Sequence, residues 1–133
     1  MNDIPRDLRY EKQDTDKYQK LTSDKLSPFY KGYYKDVFLY AATYGFKNDL
    51  KKGFVKPSPN IPLSAFSEEE LWIMRSFAIA ESNSIKILED ESNIFELAEL
   101  YANGAIEEIY LEVFGGKPGE PYKRILQKLM ELA

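Results

Sequence analysis

The sequence predicts an all-α fold: a single compact bundle of about five to six helices with one long basic loop between the second and third helices. Three observations predict it. Apolar residues recur at the spacing of amphipathic helices along most of the chain. Residues typical of helix starts and ends flank these segments, and most connections between them are short. The length of 133 residues suits one domain, and no internal repeat or domain boundary is visible.

The N-terminal part of the chain predicts an arm followed by a short helix. Residues 1–13 are charged and hold few apolar side chains, so we expect a partly mobile N-terminal arm. Residues 14–24 form a short helix in this interpretation, with Tyr18 and Leu21 on one side. Pro28 disfavours helical geometry in the residue before it and therefore ends this region.

The second helix is predicted over residues 34–44, with Gly45 in the left-handed conformation that ends it. One stripe at helical spacing predicts its buried side: Tyr34, Val37, Phe38, Ala41 and Gly45.

Three further tyrosines lie around this helix: Tyr33, Tyr40 and Tyr44. Core packing is one interpretation of them. Because tyrosine hydroxyls need water or a hydrogen-bond partner, the helix is also expected to lie partly at a surface. There the tyrosines would contact a partner protein or a second copy of the chain.

A loop with extended character is predicted over residues 46–66. Residues 53–56 suit a short strand, whereas Pro57, Pro59 and Pro62 exclude a helix and restrict any strand to a sheet edge. Loops of about 20 residues are uncommon in compact domains and are often functional or mobile, so function is expected here.

The third helix has the clearest start. Ser67 and Glu70 form a capping box, in which each side chain bonds the backbone amide of the other residue. The helix is predicted over residues 68–81. It has few polar positions, so we expect it to be the central buried helix.

The remaining sequence predicts one short turn and three helices, at residues 85–88, 92–102, 105–114 and 121–132. Asn103 and Gly104 are expected to separate the first two of these helices. Residues 115–119, rich in glycine and proline, are expected to form the loop before the last one.

The composition argues against most catalytic chemistry. The chain has no histidine and no cysteine, so it offers no imidazole base, no thiolate and no nitrogen or sulfur metal ligand. The acidic clusters at residues 68–70 and 89–91 are explained by helix capping and a solvated turn. Residues 115–119 lack the spacing of a phosphate-binding loop. We expect a non-enzymatic protein without cofactor or metal; a carboxylate-dependent metal hydrolase is a minor alternative.

Positive charge is concentrated before residue 58. Residues 1–57 hold 12 lysines and arginines against 8 acidic residues, whereas the rest of the chain holds 6 against 14. A cluster of lysines interleaved with phenylalanine is typical of a surface that contacts nucleic-acid phosphates. The predicted nucleic-acid contacts are Lys31, Lys35, Lys47, Lys51, Lys52, Lys56 and Phe54, with Phe46 as a further stacking candidate. The alternative is a solvated loop whose lysines pair with the acidic helices.

Two segments resemble a known family. Residues 34–46 read YKDVFLYAATYGF and residues 97–109 read LAELYANGAIEEI, with Phe29 before them and the basic loop between. In these the sequence is similar to a small accessory family of bacterial and archaeal DNA phosphorothioation (Dnd) systems. The arrangement of helix and basic loop is also similar to that of the small helical DNA-binding component of those systems.

This resemblance implies a role beside DNA-modifying or restricting machinery and supplies no catalytic residues. The expected partner is the DNA backbone or a protein of the modification complex. The alternative is a protein-interaction adaptor or homo-oligomeric scaffold that uses Tyr33, Tyr40 and Tyr44. The absence of cysteine and of long apolar runs predicts a cytoplasmic protein without membrane contact.

Overall fold

A computed structural model describes residues 7–115 and 129–132. Within them the fold is mostly helical, with a small two-stranded sheet and three short 3-10 turns. The elements are β1 (Asp7–Glu11), α1 (Thr15–Ser23), α2 (Tyr34–Asn48), β2 (Pro57–Pro62), α3 (Glu68–Ser82) and α4 (Glu91–Phe114). Residues 129–132 are also helical. The helical prediction is confirmed, and the sheet is the difference from an all-α fold.

The central element is α4, whose 24 residues contact α1, α2, α3 and β1. Its buried positions lie around most of its circumference, as expected for a helix packed on several sides. The prediction that α3 is the central helix is wrong. Only Met74, Phe77 and Ala78 of α3 are buried, whereas Trp72 is 48% and Ile73 39% exposed. One side of α3 packs on α4, and the other side, which faces solvent, carries Trp72 and Ile73 among polar residues.

The helices α2 and α4 pack closely at Gly45. A Cβ atom at this position would collide with the backbone of Tyr101, so only glycine allows this approach. Gly45 therefore lies inside α2, and the prediction that it ends the helix is wrong. The helix continues to Asn48, and Asp49 takes the left-handed conformation at its end, with φ of 56°.

Residues 103 and 104 do not interrupt α4. The predicted separation into two helices is wrong, because the helix runs without a break from Glu91 to Phe114. Glycine inside a helix costs about 1 kcal/mol relative to alanine. Here Gly104 packs directly against the carbonyl group of Leu50, a contact that a larger residue would prevent.

The N-terminal residues are part of the sheet. Residues 7–13 are not the predicted mobile arm, since β1 pairs with β2 in antiparallel register and is followed by a 3-10 turn at Lys12–Asp14. Leu8 and Tyr10 of β1 are buried together with Ile61 of β2. Burial of these side chains explains why the strand is held on the helices. Residues 1–6 lie outside the described part of the chain.

Strand β2 contains the three prolines of the predicted loop. The strand was predicted at residues 53–56 instead, and that prediction is wrong. Proline cannot donate a ladder hydrogen bond, but a sheet of two strands consists only of edges and tolerates it. On β1, the amide of Arg9 donates to Glu99 of α4, 2.6 Å away, and the register is irregular between Leu8 and Arg9.

Several local predictions are confirmed. Tyr18 and Leu21 are the buried residues of α1. The capping box of α3 is present: the Ser67 amide donates to Glu70 Oε1 at 2.8 Å, and the Glu70 amide donates to Ser67 Oγ at 3.1 Å. A 3-10 turn spans Ile85–Glu89. Most of the predicted loop at 115–119 and the start of the predicted last helix lie outside the described residues.

Candidate nucleic-acid interface

The segment that connects α2 to β2, residues 49–56, is held against α4 by its backbone. The Lys52 amide donates to the carbonyl oxygen of Leu100 at 3.1 Å. In return, the side-chain amide of Asn103 donates to the carbonyl oxygens of Lys52 and Gly53, at 3.0 and 3.1 Å. Asn103 is buried, and these two hydrogen bonds satisfy its side-chain amide. The contacts fix the first half of the segment on the central helix.

The second half of the segment is held by the end of β1. The carboxylate of Glu11 is buried and accepts hydrogen bonds from the amides of Val55, at 2.8 Å, and Lys56, at 2.6 Å. The Lys12 amide donates to the carbonyl oxygen of Lys56 at 3.0 Å. The hydrogen bond from Val55 is the main cause that lowers the pKa of Glu11, since it favours the charged carboxylate.

A partly buried ion pair with Glu99 holds Arg9 between α4 and the same segment. Its guanidinium donates to Glu99 Oε1 at 2.8 Å, and Glu99 is almost completely buried. The guanidinium also lies over the Phe54 ring, 5.2 Å from its centroid. Phe54 therefore packs against the protein and is half-buried. The segment is therefore contacted by α4 and by β1, to which Arg9 belongs.

Three lysines project from this fixed backbone. In the part of the chain that the structure describes, the ammonium groups of Lys12, Lys52 and Lys56 form no hydrogen bond or ion pair. All three residues are exposed, and Val55 between them is 88% exposed. We call these four residues the basic loop surface. The three lysines carry positive charge, and Val55 adds one exposed apolar side chain. The backbone that carries them is held in place by the hydrogen bonds described above.

The other predicted lysines have partners or lie elsewhere. Lys51 donates to Glu81 at 2.6 Å, which lowers the pKa of Glu81. Lys35 donates to Glu70 at 2.9 Å, and Lys47 donates to the carbonyl oxygen of Leu132. Lys31, near the opposite end of α2, lies 5.6 Å from the centroid of the Tyr30 ring. Of the predicted lysines, Lys52 and Lys56 are therefore exposed in this segment without an ion pair to any described residue, whereas Lys51 beside them is paired with Glu81.

The predicted interaction tyrosines are mostly internal. Tyr44 is 4% exposed, and its hydroxyl donates to Glu108 at 2.7 Å. The ring of Tyr40 packs between Phe29 and Tyr44, and burial raises its pKa to about 12. Only Tyr33, which is 71% exposed, lies at the surface as expected. Tyr40 and Tyr44 therefore pack inside the protein, as the core-packing interpretation predicts.

Sequence reasoning missed the residues that hold the segment. Lys12 and Glu11 were assigned to a mobile arm, and Asn103 and Gly104 to a helix break. One signal was present: a polar residue followed by glycine inside an otherwise apolar helical pattern can mark a close packing contact. Glu99 gave no signal, because an acidic residue on a helix is usually solvated.

Two surface cavities lie away from the basic loop surface. One, of about 550 Å³, is lined by residues from Tyr33 to Lys35 and from Asn60 to Pro62. The other, of about 450 Å³, lies between α3 and α4 beside the Lys51–Glu81 ion pair. Among residues 7–115 and 129–132 there is no cluster of acidic side chains that could hold a metal ion. In the same ranges, no helix combines the length and hydropathy that a membrane span requires.

Comparison with known proteins identifies the family. No curated protein and no solved structure matches the chain. Residues 8–132, nearly the whole chain, match the family described as DNA sulphur modification system-associated protein 4. This agrees with the resemblance to accessory proteins of DNA phosphorothioation systems that residues 34–46 and 97–109 carry. The chain therefore belongs to the family of DNA sulphur modification system-associated protein 4.

Proposed function

We propose that this protein is a non-enzymatic accessory component of a DNA phosphorothioation system and that it contacts the DNA backbone through the basic loop surface. The observation that carries the proposal is the backbone from Lys52 to Lys56, which α4 and β1 hold while both lysines are exposed. Lysine ammonium groups attract phosphates as point charges and do not read base sequence. The contact would thus position the protein on DNA without sequence specificity.

The number of lysines that can contact phosphates sets the expected strength of DNA binding. The basic loop surface offers three lysines for phosphate contacts, Lys12, Lys52 and Lys56, whereas Lys35 and Lys51 form ion pairs. Each phosphate contact to duplex DNA contributes about −0.9 to the slope of log affinity against log salt concentration, so a slope of about −2.7 is expected. A protein with this few contacts binds DNA weakly alone and gains affinity within a larger complex.

The non-enzymatic part of the proposal is supported by composition. Without histidine or cysteine, the chain lacks the side chains that most often act as general base or nucleophile. A carboxylate-dependent metal hydrolase would be stabilised by its metal. Thermal unfolding with and without magnesium or manganese checks this alternative, and a clear rise in melting temperature with either ion would support it.

A pair of matched variants tests the DNA contact. K52A/K56A removes two charges from the basic loop surface, whereas K25A/K86A removes two exposed charges elsewhere. Fluorescence anisotropy with a 20-base-pair duplex, at a series of low salt concentrations, measures the DNA affinity of both variants and its salt slope. We expect the salt slope of K52A/K56A to fall in magnitude by about 1.8, and that of K25A/K86A to stay at the wild-type value. Equal losses in the two variants would indicate a general charge effect and would contradict the proposal.

The solvent side of α3 favours a second candidate function, a contact with a protein of the modification complex. Trp72 and Ile73 are exposed there, followed by the small residues Ser76 and Ala80 on the same face. Solvent-exposed helix faces normally carry charged residues. Glu69 is exposed on the same face, so a partner with an apolar, basic surface fits it. A pull-down of the system's other proteins with wild type and with W72A/I73A tests this candidate.

A further inference from the structure

We infer that the nucleic acid bound by the basic loop surface is double-stranded DNA and that single strands are poor ligands. This inference rests on the proposed function and adds the form of the nucleic acid to it. It follows from the positions of the aromatic rings near the loop, from the residue at its tip and from the fixed backbone.

The aromatic rings beside the loop already pack against other residues of the protein. Proteins that bind single strands stack successive bases on exposed aromatic side chains. Phe46 instead stacks on Phe77, with ring centroids 4.7 Å apart, and meets Tyr101 edge to face. The Phe54 ring is contacted by the guanidinium of Arg9. Phe46 is therefore packed against two other rings, and Phe54 is half-buried with the Arg9 guanidinium over its ring.

The exposed tip of the loop has no aromatic side chain that could stack on a base. Its most exposed side chain is Val55, which has no aromatic face. Tyr33 is exposed, but it precedes α2, whereas the basic loop surface follows the other end of that helix. Tyr33 lines a cavity with Asn60, Ile61 and Pro62 at the end of β2, whereas Lys56 comes directly before this strand. Six extended residues span about 20 Å, so Tyr33 lies at the end of β2 remote from Lys56. Within residues 7–115 and 129–132, the basic loop surface itself carries no aromatic ring on which a base could stack.

Charge and rigidity favour a duplex. A surface that contacts only phosphates gains more per contact from a duplex than from a single strand, since the duplex releases more counterions: about 0.9 against about 0.7 per phosphate. The loop backbone is fixed by Glu11 and Asn103, so it matches a ligand whose backbone is also ordered before binding. A single strand would have to be ordered without the compensation of stacking.

Competition binding tests this inference. A labelled 20-base-pair duplex is displaced by unlabelled duplex or by a 40-nucleotide single strand, so that both competitors carry nearly the same number of phosphates. We expect the duplex to compete at least about tenfold more strongly, and both competitors to lose strength in K52A/K56A. A single strand that competes equally well would overturn the inference while leaving the DNA contact itself intact.

Two variants address stacking directly. F54L removes the aromatic ring next to the loop but keeps a buried apolar side chain, and Y33A removes the exposed ring at the far end of α2. We expect both variants to bind the duplex with an affinity within about twofold of wild type. A tenfold loss in F54L, in a protein with unchanged thermal unfolding, would show that bases stack on this ring and would overturn the inference. If wild type binds neither nucleic acid, the proposed function itself is contradicted.

Discussion

The α-carbon of Gly104 in α4 faces the carbonyl group of Leu50 so closely that a Cβ atom there would collide with the carbonyl oxygen. Leu50 follows the end of α2 and comes directly before the lysines of the loop. Together with the hydrogen bonds of Asn103, this contact joins the basic loop surface to the most buried helix of the fold. The position of the loop therefore depends on the interior of the protein.

The first prediction concerns G104A. Alanine normally stabilises a helix relative to glycine by about 1 kcal/mol. Here we expect a loss of about 1–3 kcal/mol, because the methyl group must displace the Leu50 backbone. Urea unfolding measures it. The control is G53A in the same loop, where an added Cβ meets nothing within 4 Å and stability should stay within about 0.5 kcal/mol. A stabilised G104A would contradict the close contact.

The second prediction concerns N103D, which keeps the shape of the side chain but replaces the amide donor with a carboxylate. The two carbonyl groups that Asn103 now satisfies, those of Lys52 and Gly53, would face negative charge. We expect lower stability than wild type and faster amide exchange at residues 51–56. N48A removes a side-chain bond within α2 only and serves as control. Unchanged exchange in N103D would show that the loop is held by other contacts.

The third prediction concerns Glu99, whose carboxylate accepts from the amide and guanidinium of Arg9. E99A leaves these donors without their buried partner. Because Glu99 is buried but the guanidinium of Arg9 is partly solvated, we expect a loss of about 2 kcal/mol in urea unfolding. E68A breaks the exposed pair of Glu68 with Arg75 and should cost no more than about 1 kcal/mol. A loss in E99A as small as that of E68A would contradict a structural role for this pair.

The fourth prediction concerns pH. The hydrogen bond from Val55 lowers the pKa of Glu11 in the folded state below its ordinary value of 4.5. A lowered folded pKa stabilises the fold above the unfolded pKa, and this stability is lost as pH falls through the folded pKa. We expect E11Q to be less stable than wild type at neutral pH and the difference to shrink below about pH 4.5. E89Q, at an exposed glutamate, should show no such trend.

Local features of the fold were predictable. The buried stripe of α2, the extent of α1 and the start of α3 depend on residues three or four positions apart, which interact within one helix. The capping box of Ser67 and Glu70 is complete within four residues. Such features can be predicted because the residues that decide them are neighbours in the chain.

The missed features depend on distant residues. Gly45 and Gly104 were interpreted as helix punctuation, but their contacts are with Tyr101 and Leu50, more than 50 positions away in the chain. A glycine that ends a helix and one that admits a neighbouring backbone look the same in sequence. The pairing of Lys51 with Glu81 likewise joins positions 30 residues apart. Which lysines stay available for DNA was therefore not deducible from the lysine cluster alone.

The central claim is that DNA contacts the basic loop surface. Amide NMR of the labelled protein, titrated with a short duplex at low salt, tests it without any mutation. We expect the largest chemical-shift changes at residues 51–56 and at Lys12, and we expect them to decrease as the salt concentration is raised. Changes centred on Trp72 and Ile73 of α3, or no change at DNA concentrations near one millimolar, would contradict it.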